Sequence, residues 1–153
     1  MAVVKHQGRA FAAAAAVAAA TVAGALGAGQ AQAAPIGVQQ LPATAIVANG
    51  PADWSVFTAF IQIHTSDKRG WVVLTAPSGD CGRYGVANAL VRLDYTNLTT
   101  GARGSGTVNP CGGHAMPPTS ARLHTGSGQI VGSIIIPTAG AWAIPGGATF
   151  SVG

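Results

Sequence analysis

Beyond residue 35 the apolar side chains recur mostly at every second position, the period of a strand with one buried face. No stretch there shows the three-to-four spacing of an amphipathic helix. Residues 87–95 are the cleanest case. Ala87, Ala89, Val91, Leu93 and Tyr95 fall on one face, and Asn88, Arg92 and Asp94 fall on the other, toward water. Residues 36–48 hold one or two strands, interrupted at Pro42 and closed by the turn pair Asn49-Gly50. Residues 54–64 predict one strand with little alternation, placing Phe57, Ala59, Ile61 and Ile63 on one face and implying that both faces are covered. The polar run Asp67-Lys68-Arg69-Gly70 then turns the chain back into a strand over 71–76. After a loop at 77–85 and the strand at 87–95, Thr99-Thr100-Gly101-Ala102 opens a second hairpin with Arg103, Ser105 and Thr107 on its outer face. A loop at 109–119 precedes strands near 120–125, 129–136, 141–144 and 148–152. Gly126-Ser127-Gly128 and Pro145-Gly146-Gly147 read as turns between them.

Seven to nine short strands at this spacing indicate an all-β domain, an antiparallel β-sandwich of immunoglobulin-like kind or a small barrel. The first residues read differently. Lys5, His6 and Arg9 precede an alanine-rich apolar stretch, and Ala31-Gln32-Ala33 supplies a small-x-small exit. Positive flank, apolar middle and small exit are the parts of a secretory signal peptide, here 1–33, helical, with cleavage before Ala34. The leader resembles those of secreted bacterial proteins. The alternative is a retained anchor, the only membrane contact the sequence suggests.

Residues 34–153 then form one domain of 120 residues, of which 27 are Gly or Pro. Only 8% of the chain is charged, there is no glutamate, and the acids are Asp53, Asp67, Asp80 and Asp94. That composition excludes a glutamate-based active site and a carboxylate-rich metal cage. A net charge of +2 after the leader is too weak for a nucleic-acid surface. No Gly-x-Ser-x-Gly elbow or phosphate-binding glycine loop occurs.

Cys81 and Cys111 are the only cysteines, and in an exported chain two cysteines imply one disulfide. The competing reading is copper. Cys111, His114 and Met116 bring a thiolate, an imidazole and a thioether within six residues, with His64 upstream as a further imidazole. This run resembles the ligand loop of the cupredoxins, which implies a copper electron carrier. It departs from their pattern in having one residue between His114 and Met116, and 37 residues after Met116. Asp80, Arg83 and Tyr84 beside Cys81 form a candidate binding loop, because a disulfide holds polar groups in place for a ligand. Trp54, Trp71 and Trp142 offer ring faces for a sugar, although plugging the core and its ends is the expectation that carries more weight. Asn97-Leu98-Thr99 matches the N-glycosylation sequon and marks an exposed strand end. The expectation is therefore a secreted, disulfide-stapled β-domain without cofactor. It would act non-enzymatically on a protein or carbohydrate partner at the cell surface, with a secreted accessory or inhibitor protein as a further alternative.

Overall fold

The computed structural model describes residues 33–48, 51–77, 81, 88–112, 118–137 and 142–153. Contacts divide the chain into a unit of residues 1–30 and a second unit from residue 31 to the end. Residues 1–32 of the expected signal peptide and the Asn49-Gly50 turn lie outside the described residues, as do Ala87 and most of the 77–85 loop.

Every described element is a strand or a turn. In chain order the strands are β1 Pro35–Ile36, β2 Gln39–Leu41, β3 Ala43–Ala48, β4 Trp54–Ala59, β5 Gln62–Thr65 and β6 Trp71–Thr75. Then come β7 Val91–Asn97, β8 Arg103–Val108, β9 Ser120–His124, β10 Gly128–Ile135, β11 Trp142–Ile144 and β12 Gly146–Val152. All pairings are antiparallel. Sheet A has the order β1-β5-β6-β9, sheet B β2-β12-β10-β7-β8, and sheet C β11-β3-β4. The architecture is a β-sandwich, and among the described residues no barrel closes.

The described residues form twelve strands, in part because continuous runs bend. Pro42 alone separates β2 from β3, Pro145 alone separates β11 from β12, and Phe60 and Ile61 separate β4 from β5. In each case the two halves join different sheets. Proline has no N–H to give a ladder, so pairing must stop at Pro42 and Pro145. Sheet C is thus a shared corner: β3 and β11 prolong strands of sheet B, and β4 runs on into sheet A. The expected single strand over 54–64 is two strands for this reason, and Pro145-Gly146-Gly147 is a bend rather than a turn, with Gly146 and Gly147 already paired to Ile134 and Ser133.

Side chains and close packing hold the bends. Ile61, between β4 and β5, has no ladder partner, and the Gln40 amide replaces one. Gln40 Oε1 accepts from Ile61 N–H at 2.9 Å, and Nε2 donates to the Ile61 carbonyl at 3.0 Å. Gln40→Ala should therefore leave two buried backbone groups unpaired and cost about 2–3 kcal/mol, read as a lower urea midpoint. At the proline bends, a Cβ on Gly146 would press against Leu41 O and lie 2.5 Å from Ala43 N, so the two runs meet backbone to backbone.

The core lies between sheets A and B and behind sheet C. Ile63, Val72, Leu74 and Leu123 meet Val91, Leu93, Ile130, Ile134 and Phe150, while Ala45, Val47, Phe57 and Ala59 close the corner. The 87–95 pattern holds where it is described: Ala89, Val91 and Leu93 are fully buried and Tyr95 nearly so. Arg92 and Asp94, expected in water, are half-exposed and bound to each other at 2.8 Å. Strand β8 turns Gly104 and Gly106 inward. The Tyr95 ring occupies the space beside Gly104, and Leu123 of β9 the space beside Gly106. Tyr95 Oη donates to the His124 carbonyl at 2.9 Å, and burial raises the phenol's pKa.

One end of the sandwich is organised by Asn97, which is fully buried rather than an exposed strand end. Its Nδ2 donates to Thr125 O at 2.8 Å and Ser127 O at 3.1 Å. Its Oδ1 accepts from Thr99 N and Thr100 N at 2.8 and 3.1 Å. The amide thereby ties the β7–β8 turn to the β9–β10 connection. Gly126, with φ of 69°, donates its N–H to Gly70 O at 2.9 Å and draws in the β5–β6 turn. Within this fold the sequon nitrogen is committed to two carbonyls and closed to glycan attachment.

Candidate functional site: an exposed apolar face on sheet C

Alternation in sheet C sends Ala43, Ala45 and Val47 of β3 and Phe57 and Ala59 of β4 inward. The opposite face should carry polar residues, and it does not. Trp142, Ile46 and Val56 stand in one cross-strand row over β11, β3 and β4. They are 84%, 42% and 67% exposed. Trp54, two residues before Val56, and Ile144, two residues after Trp142, extend the face at 57% and 73%. Leu41 and Phe60 are also exposed, at the Pro42 bend and at the β4–β5 bend. Thr44 and Thr58 give the face its only hydroxyls, in the row with Ile144, and none of the three strands holds a charged residue. Contiguous exposed apolar surface of this kind marks an interaction site.

The weak alternation over 54–64 was the sequence signal of this face. Read as a strand covered on both sides, it is covered on one, because the third sheet turns away from the sandwich at the bends. Trp54 and Trp142 likewise do not plug the core. Trp71 is apart from them, in sheet A, where its ring stacks on His124 with centroids 5.0 Å apart. The three tryptophans do not form one set.

The cysteines are joined. Cys81 and Cys111 form a disulfide with Cα atoms 5.5 Å apart. Asn109, fully buried, shapes the second arm: its Oδ1 accepts from Cys111 N at 2.9 Å, and its backbone N donates to Pro118 O at 3.0 Å. The bridge sits beyond the Val91 and Val108 ends of β7 and β8, opposite the Asn97 end. With its sulfur in this bond, Cys111 has no thiolate to give a copper ion. His64 lies in β5, with Nε2 3.5 Å from Thr75 Oγ1, while His114 and Met116 lie outside the described residues. Among the described residues no three His, Cys, Asp or Glu side chains converge on a metal position. Asp80, Arg83 and Tyr84 of the expected binding loop also lie outside the described residues.

The outer face of sheet B offers a second surface. A shallow groove of about 460 Å³ runs past Asp94, Thr96, Arg103 and Ser133. Its neighbour of about 450 Å³ shares Gly132 and reaches Gln39 and Thr149. Glycines open both grooves, and nothing in them gathers reactive groups.

Comparison of the chain with protein-family models, with curated proteins and with solved structures finds no match.

Proposed function

We propose that this chain is an exported, disulfide-stapled binding protein that works outside the cell or at its envelope and docks through the apolar face of sheet C. The observation that carries the reading is the row Trp142–Ile46–Val56, open to solvent on a sheet whose other face packs Ala45, Val47 and Phe57 into the core. A disulfide between Cys81 and Cys111 suits an oxidising compartment, which agrees with the leader at 1–33 and removal before Ala34. The described residues offer surfaces for binding, and the role proposed for them is non-enzymatic.

The test is site-specific photo-crosslinking in cells that export the full chain. A benzophenone side chain placed at position 142 or 56 should give discrete adducts, and one at position 94 on sheet B should not. Adducts from position 94 alone, or from none, would overturn the docking face. A mature mass that still includes residues 1–33 would overturn export by leader removal.

A further inference from the structure

We propose that the apolar face of sheet C seats a second copy of this chain, forming a two-fold dimer sheet face to sheet face. The inference rests on the docking reading above and names its partner.

Area comes first. At the exposures given, Trp142, Ile144, Ile46, Val56 and Trp54 present on the order of 650 Å² together. Two such faces, fully covered, would bury at most roughly 1,300 Å², at the lower end of the range of about 1,200–2,000 Å² that stable interfaces occupy.

Chemistry comes second. Identical surfaces meet without penalty only if they do not repel, and sheet C carries no charged side chain on any of its three strands. Homodimer interfaces are the apolar class of protein contacts, and this face is apolar apart from Thr44 and Thr58. A lipid surface would call for lysine or arginine around the apolar residues, and the charged residue next to this face is Asp53, immediately before Trp54. A sugar would call for hydrogen-bonding side chains beside the indole rings. Trp142 has Ile46 and Val56 in its row instead.

Shape comes third. The central strand is β3, flanked by β11 with Trp142 and by β4 with Val56 and Trp54. A two-fold axis in the interface, parallel to β3, lays the β11 flank of one copy on the β4 flank of the other. The most protruding ring, Trp142, then packs over the lower Val56 position, twice by symmetry. The same step takes the apolar face of an uncharged sheet out of water, which removes an exposed hydrophobic patch and its aggregation hazard.

Sedimentation equilibrium of the full chain, expressed in an exporting and oxidising host and recovered with its disulfide intact, tests this directly. The expected result is twice the protomer mass at high concentration, with indole emission moving to shorter wavelength as the dimer forms. Trp142→Lys and Val56→Lys each place a charge at an exposed position, so both should keep the wild-type near-ultraviolet circular dichroism. Each should weaken association at least about tenfold. Arg103→Ala, on sheet B, should leave it unchanged. A protomer mass at every concentration, or a dimer untouched by both lysine variants, overturns the inference. The crosslinking experiment separates that failure from failure of the docking reading. Adducts at positions 142 and 56 with a mass other than two chains keep the face and discard the second copy. No adduct from either position discards both.

Discussion

Asn97→Asp should come close to unfolding the protein at neutral pH. The substitution changes one atom, the nitrogen that donates to Thr125 O and Ser127 O, into an oxygen that repels both. The site is fully buried, so water cannot take the place of the lost donors. A buried charge set against two carbonyls, offset only in part by the Thr99 and Thr100 N–H groups that Oδ1 accepts from, costs about 3–5 kcal/mol, against a total stability of roughly 5–15 kcal/mol for a domain of this kind. The deficit should narrow in acid. The new carboxyl prefers its neutral form in the folded state, where its O–H can donate to one of the two carbonyls, so its folded pKa lies above the unfolded value. The folded form then gains protons that the unfolded form does not, and stability recovers as pH falls through that raised pKa. Urea midpoints at neutral and acidic pH measure both effects. Leu98→Ser, one residue on at an exposed position, should shift the midpoint by less than about 0.5 kcal/mol. Equal losses at 97 and 98 would show that the amide does not organise that end.

The second large effect belongs to the opposite end. Replacing both Cys81 and Cys111 by Ser releases a link between residues 30 apart, across the whole β7–β8 hairpin. Loop-closure entropy alone puts the loss at about 3–4 kcal/mol. Dithiothreitol should lower the wild-type midpoint to the level of the double variant and leave that variant unmoved. A reductant effect below about 1 kcal/mol would mean that the two arms hold each other without the bond. Because the bridge and Asn97 sit at opposite ends of β7, their losses should add within about 0.5 kcal/mol.

Much of the architecture was legible in the chain. Period-two burial around Val91 and Leu93, the polar turn at 67–70 and the pairing of two cysteines follow from local rules, and the fold respects them. What escaped depends on contacts distant in sequence. Nothing near Ile61 announces that the run from Trp54 will bend there, because the group that satisfies the freed backbone is Gln40, 21 residues away. Asn97 reads in sequence as an exposed strand end, since local sequence does not show the carbonyls of Thr125 and Ser127 arriving 28 and 30 residues later. The apolar face was visible only as missing alternation. Covered on two sides and open on one produce the same letters, and the topology of the bends decides between them.

The bends also govern how the open face can be used. Gly146 packs against the backbone at Pro42, and Gln40 fastens the third bend at Ile61, so the face is fixed to the core. A partner meeting Trp142, Ile46 and Val56 finds them already in place and need not order a loop or a strand. Association then loses the tumbling freedom of the two bodies and some rotamer freedom of the tryptophans, with little backbone entropy added. Recognition at this surface should therefore proceed as the docking of preset shapes, with encounter rates that depend little on conformational rearrangement.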